Sequence, residues 1–454
     1  MARVTLRVNP IDKTLRLVPE IATTQYLDQF MFLHLLKLFA SSLFAAMFLT
    51  ACGGGDPAPP ATGVTVTARE STATVSWNMQ DGVEYWLFYG PTSIAPADTS
   101  TMHGWIGLPG GSVLLKVSSP IVVTGLVNGT SYSFSLNGRT NGGPGGAGTT
   151  PVSATPVFAG ASWTAGPATS PAANLRAVTY GPVGGTGTVF VTAGEGGAMY
   201  SSVDGASWSA ITSVTSNRLN GASFFGNYKL VGDAGTVLTS ADGLSWTTRT
   251  SGTTQNLYAV ASNNLNLNVA VGANGTIIAS ADGTTWVAAT SSATVRDLFG
   301  VSYGIVNGVG TWVAVGAGGT LVTSTDGLNW HGVTSGTALD LQGVAYGAVT
   351  TTSGTTTTTT TTFVAVGASG TVLSSTDAAT WTVRTPPAAV DLKAVAYGTQ
   401  FIAAGNGGNI FTSLDGVTWV ASSPTGTTNN LLAVARGDLN YSAVGTAGAN
   451  LMAR

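Results

Sequence analysis

The sequence is poor in the residues that most often carry chemistry. Among 454 positions there is one cysteine, Cys52, and three histidines, His34, His103 and His331. One cysteine excludes intramolecular disulfides, and in an oxidising compartment a lone thiol invites side reactions unless it has another use. So few histidines exclude a multi-histidine metal site beyond residue 160, where only His331 stands, and argue against a Ser-His-Asp triad there. Charge is scarce as well, at 8% of residues with a net charge of −3, where soluble domains usually carry about a quarter. No Lys/Arg cluster is present to neutralise a run of phosphates, so nucleic acid is not an expected partner. Glycine, with 61 positions, and abundant Thr, Ser and Asn fill the gap left by charge. Many short apolar strings broken by Gly, Asn and Asp predict an all-β chain rather than disorder or multiple membrane spans.

The N-terminus gives the cysteine a use. Residues 31–51 hold a twelve-residue apolar stretch, LFASSLFAAMFL, behind His34 and Lys37. It is short for a membrane span and suited to the core of a signal peptide. The stretch ends in Leu49-Thr50-Ala51-Cys52, which resembles the lipobox of bacterial lipoproteins. That resemblance implies lipidation of Cys52, cleavage before it, and export to a membrane surface. Gly53 after the cysteine favours the outer membrane under the enteric sorting rule. An ordinary signal peptide or a signal anchor is the alternative. Residues 1–30 carry Asp12, Glu20 and Asp28 among the basic residues, as expected of a start upstream of the real one or of a long n-region. Residues 52–60 read as a flexible tether.

Residues 61–158 show short alternating strings, Val64–Ala68 and Thr74–Trp77, then an aromatic one, Tyr85–Tyr89. Together with Trp77 and the run Leu126-Val127-Asn128-Gly129-Thr130-Ser131-Tyr132-Ser133-Phe134, they resemble the fibronectin type III family. The resemblance implies an immunoglobulin-like β-sandwich with Trp77 in its core and Tyr132 at its tyrosine corner. Its expected role is that of a spacer.

Self-similarity dominates residues 162–454. The string S-x-D-G-x-x-W ends at Trp208, Trp246, Trp286, Trp330 and Trp419, and a variant with Ala378 for Gly ends at Trp381. Each unit contains four strand-like strings, the pattern of propeller blades. After Trp419 three strings remain without a fourth, whereas Ala161–Thr164 is a fourth string without its first three. Joining them predicts a seven-bladed β-propeller closed by both chain ends, which leaves no open sheet edge. These repeats resemble Asp-box (BNR) propellers and the seven-bladed repeat family that includes the photosystem II assembly factor of oxygenic phototrophs. A Thr-rich insertion at Thr350–Thr362 reads as a loop or an extended β-ribbon.

The Asp-box carboxylates Asp204, Asp242, Asp282, Asp326, Asp377 and Asp415 invite a catalytic reading, since some glycosidases carry such boxes. Sixfold repetition in hairpin turns argues instead for accepting turn amides. Sialidase chemistry needs an arginine triad, a tyrosine and a glutamate, and beyond residue 160 the only Glu is Glu195. No catalytic residue, cofactor or metal is therefore expected. Two polar rings remain. Asn174, Arg218, Asn256, Asp297, Asp340, Asp391 and Asn430 precede the inner strands, and Glu195, Asp233, Ala273, Ala317, Ala368, Asn406 and Thr446 open the G-x-x-G turns. Glu195, Asp233, Asn256, Asp297, Asp340, Asp391 and Asn406 form the candidate partner-binding face, for a protein or a glycan. The competing reading is turn capping. Replacing Asp297, Asp340 and Asp391 with Ala is expected to separate the two, with little loss of stability if the ring binds a partner. The function expected is that of a non-catalytic binding or scaffolding lipoprotein. The alternatives are a carbohydrate-active enzyme and an assembly chaperone for membrane complexes.

Overall fold

A computed structural model describes residues 57–95, 105, 110–185, 187–263, 265–353, 356–422 and 425–453. Cys52, the apolar stretch before it and most of the tether lie outside the described residues. Among the described residues no helix is long and apolar enough to cross a membrane. The chain divides into two compact units, the first running to Thr155 except for 68–72 and 124–129, the second taking up those segments and residues from Pro156 onward.

Strands of the N-terminal region form two sheets. One has the order β1 (Thr62–Arg69), β2 (Thr72–Asn78), β5 (Ile121–Thr124); the other runs β4 (Ser112–Val117), β3 (Val83–Pro91), β6 (Tyr132–Thr140), β7 (Val152–Ala154). Alternation sends Ala73, Val75 and Trp77 of β2 and Tyr85 and Leu87 of β3 inward, all buried. Trp77 meets Tyr85 edge-on at 5.7 Å between ring centroids.

The second unit is a β-propeller of four-stranded, blade-like antiparallel sheets. Six are continuous in sequence, spanning 175–210, 219–249, 257–288, 298–332, 341–384 and 392–421. A seventh combines the strands of 431–453 with β8 (Trp163–Ala165), which pairs antiparallel with the last strand through Leu451–Ala165, Met452–Thr164 and Ala453–Trp163. We number these sheets as blades 1 to 7. The first strand of each blade packs against that of the next, and blade 7 packs against blade 1.

The cores lie between blades. Each Asp-box tryptophan, or its counterpart Trp163, packs with apolar residues of the preceding blade. Trp246 joins Val189, Val191 and Met199; Trp330 joins Val269, Val271 and Ile277; Trp163 joins Ile402, Ala404 and Ile410. Burying an aromatic ring between its own sheet and the preceding one gives each sheet a specific partner, so the cost of ordering one blade is shared around the array. The Thr-rich insertion is a β-ribbon rather than an irregular loop. Strands Leu341–Ser353 and Thr356–Gly367 stay in register from Gly343–Val366 out to Ser353–Thr356.

Candidate binding site at the channel mouth

Every blade opens with the triplet Leu-x-Ala/Gly. The leucines are Leu175, Leu219, Leu257, Leu298, Leu341, Leu392 and Leu431, each fully buried. In all seven blades the register with the second strand shifts at this triplet, so the middle residue is bulged out of the ladder. Such a bulge re-aims a side chain. Here all seven middle residues, half-buried, line one cavity of about 180 Å³ shared by the seven first strands. The small third residue follows from crowding: a Cβ on Gly221 would lie 2.8 Å from the Ala259 Cα of the next blade.

In ring order the bulged residues are Arg176, Asn220, Tyr258, Phe299, Gln342, Lys393 and Leu432. A uniform leucine before them and a uniform small residue after them enclose seven different side chains. Tyr258 and Phe299 touch at 5.7 Å between centroids. Arg176, Asn220 and Lys393 lie on the other arc and are tied to rim carboxylates. Arg176 pairs with Glu195 at 3.1 Å, Asn220 Nδ2 donates to Asp233 at 2.9 Å, and Lys393 pairs with Asp391 at 3.2 Å. Arg218 adds a second partner to Asp233 at 3.2 Å.

Both rings expected from the sequence sit above this cavity, and a backbone hydrogen bond joins them in each blade. The amide at the head of each G-x-x-G turn donates to the carbonyl of the residue preceding that blade's first strand, from Glu195 to Asn174 through Thr446 to Asn430. The side chains then connect blades. Asn256, Asp297, Asp340, Asp391, Asn430 and Asn174 each accept, through Oδ1, the amide of the second turn residue of the preceding blade. The donors are Ala234, Asn274, Gly318, Ser369, Gly407 and Ala447, at 2.7 to 2.9 Å. These donors occupy the left-handed region, φ +53° to +66°, which turns the amide outward toward the neighbour. Arg218 breaks the sequence, having no acceptor, and bonds to Asp233 of its own blade instead.

The geometry therefore gives the Asp and Asn ring an inter-blade stapling role, and alanine at Asp297, Asp340 and Asp391 removes three staples. Unchanged stability of that triple variant is no longer the expectation, because each lost acceptor costs on the order of 1 kcal/mol. The carboxylates of the two rings are also partly neutralised. Glu195 is held below the usual carboxylate range by the hydrogen bonds from Arg176 and Asn174. Asp391 is lowered by the Ser369 amide and Lys393. Asn406 donates to Asp391 at 3.3 Å.

The Asp boxes lie at the other end of the strands, between third and fourth strands. In each, one carboxylate oxygen accepts two turn amides and the box serine hydroxyl; for Asp326 these are Leu328 N, Asn329 N and Ser324 Oγ, at 2.8 to 2.9 Å. Such bonds favour the ionised form and hold Asp326 well below its ordinary range. Among the described residues no group of three or more His, Cys, Asp or Glu is placed to hold a metal. The bulge ring is absent from the residues singled out by sequence reasoning. Its signal was present: within a repeat, the position varying most in chemistry is flanked by the two varying least.

No family model and no curated protein matches the chain. Many solved structures are similar to it, among them two of YCF48 and one of a WD40 propeller. YCF48 bound to D1 peptide aligns at 18% identity and TM-score 0.49, covering 64% of this chain and 94% of that one. YCF48 from Cyanidioschyzon merolae aligns at 16% and 0.48, covering 64% and 98%. The WD40 beta propeller domain of Doa1 aligns at 9% and 0.45, covering 62% and 93%.

Proposed function

We propose that the chain is a non-catalytic binding module of the bacterial envelope, in which a closed seven-bladed propeller holds an extended segment of a protein partner at its channel mouth. The single observation that carries this reading is the bulge ring. Seven bulges aim seven different side chains into one cavity, between a column of leucines and a column of small residues that both repeat. Folding alone calls for a repeated small or apolar residue there, as the flanking Leu and Ala/Gly columns show. Tyr and Arg, both in the ring, are residue types that anchor protein interfaces. Closure through β8 belongs to this reading, because a fixed ring holds its seven side chains at fixed distances. So do lipidation of Cys52 and placement at the outer membrane, with the fibronectin type III-like sandwich as a spacer. An assembly role for membrane complexes falls within the same reading.

Glycoside hydrolysis is the less favoured reading. It calls for a carboxylic acid that keeps its proton near neutral pH, and Glu195 is pushed the other way by Arg176. The test replaces Arg176, Tyr258, Phe299 and Lys393 together with Ser in the full-length lipoprotein. The expected result is loss of its crosslinked protein adducts in native membranes with the fold retained by circular dichroism. Retained adducts, or robust glycan turnover by the unaltered protein, overturns the reading.

A further inference from the structure

The cavity is chemically divided, and the division identifies what enters it. On the arc of blades 6, 7, 1 and 2, each cation already has a carboxylate: Lys393 has Asp391, Arg176 has Glu195 and Arg218 has Asp233. The arc of blades 3 to 5 differs. Its bulged residues are Tyr258, Phe299 and Gln342, and the rim residues that introduce the strands of Phe299 and Gln342 are Asp297 and Asp340. Each of these carboxylates uses Oδ1 for its staple, at 2.8 Å to Asn274 N and 2.7 Å to Gly318 N. Neither makes an ion pair among the described residues. The nearby cation, Arg296, donates to the Gly318 carbonyl at 3.1 Å rather than to either carboxylate.

Two carboxylates, with Arg296 as the one cation beside them, therefore precede the strands of this arc, which keeps a net negative charge next to its aromatic pair, whereas the cations of the other arc are each paired with a carboxylate. Aromatic faces attract cations, most strongly where water is displaced, and carboxylates at the entrance add long-range attraction. A cavity of about 180 Å³ has room for a long side chain. Resting on the reading of the channel as a protein-binding mouth, we infer that blades 3 to 5 form a subsite for the cationic side chain, Lys or Arg, of an extended basic segment. The head group of that side chain rests against Tyr258 and Phe299 inside the cavity, and Asp297 and Asp340 attract it from the rim.

The staple ring supplies a clean variant. Asn174, Asn256 and Asn430 perform the same amide-accepting role as the aspartates, so Asp297→Asn with Asp340→Asn removes charge and keeps both staples. The probes are three fluorescent nonapeptides of Gly and Ser, alike except for a central Arg, citrulline or Glu, titrated onto the full-length protein by anisotropy. The Arg peptide is expected to bind about ten-fold tighter than the other two, a preference that weakens with salt. The double Asn variant and Tyr258→Leu/Phe299→Leu each erase the preference, the former without a change in melting temperature. Equal binding of all three, preference for Glu, no binding of any, or an Arg preference that survives in the double Asn variant overturns the inference. The broader reading has its own readout. If membrane adducts still depend on the bulge ring when the Arg preference fails, the channel binds a partner of different charge; if they do not, the channel reading fails as well.

Discussion

Lys229 is buried to 1% exposure in the second strand of blade 2, where its Nζ donates to the carbonyls of Phe225 at 2.9 Å and Asn227 at 3.1 Å. Burial lowers its pKa from 10.5 to about 8. That fall corresponds to about 3 kcal/mol of preference for the unfolded chain while the group is charged. Below pH 8 the ammonium is charged in both states and the folded protein bears the full cost. Between 8 and 10.5 the folded state releases its proton while the unfolded chain keeps it, so stability rises with pH; above 10.5 the cost is gone. Lys229→Met fills similar space without charge and loses two hydrogen bonds, each worth about 1 kcal/mol. At pH 7 the variant should therefore be more stable by about 1 kcal/mol. By pH 10 the difference should have moved by about 2 to 3 kcal/mol in favour of the parent. Urea unfolding at the two pH values, followed by tryptophan fluorescence, measures the difference, and other titrating groups cancel between the two proteins. A stability difference independent of pH would refute the assignment of Lys229 as a buried charge.

Two further outcomes follow from the ring. Asp391→Ala removes the acceptor of the Ser369 amide and should cost about 1 kcal/mol, whereas Asp391→Asn should cost less than half of that; thermal unfolding ranks them, and equal losses would remove the stapling role. Cysteines at Thr164 and Met452, directly opposed across β8 and the last strand, should form a disulfide on mild oxidation and raise the unfolding temperature. A gel shift on reduction detects it, and its absence counts against closure of the seventh sheet.

The repeat architecture was legible because its signals are local. The Asp-box turn is set within seven residues, and the strings on either side of it alternate as strands do. Three strings at one end and one at the other suggested their pairing from topology alone, and β8 does pair with the last strand. The bulge ring was harder to read. Arg176, Tyr258 and Lys393 look like ordinary half-polar positions in an inner strand, and only the register shift shows that they leave the ladder together. Stapling by the Asp and Asn ring was likewise hidden, because its donors lie in the preceding blade, 22 positions before Asp340 and Asp391. Lys229 shows a third limit. Three residues before the repeat glycine the other blades carry Val191, Val269, Val313, Val364, Ile402 and Ser442, a column that marks the position as buried, and nothing in that column says how it could hold a lysine. It is buried in a place where blade 3 also departs from the pattern. Asn268 stands where other blades have Phe190, Tyr228, Trp312, Phe363, Phe401 or Tyr441, and the Lys229 Cε lies 3.5 Å from where a Cβ on Gly283, in the blade 3 Asp box, would sit. The lysine stem occupies space next to the missing ring, a compensation between blades that only packing reveals.

The channel claim is tested most directly by a photo-crosslinking amino acid placed singly in the full-length protein and activated in the cells that produce it. At Phe299 or Gln342, inside the mouth, the account predicts a discrete protein adduct. At Val287, exposed on the outermost strand of blade 3, it predicts none. Adducts at Val287 with none at Phe299 or Gln342 would contradict it.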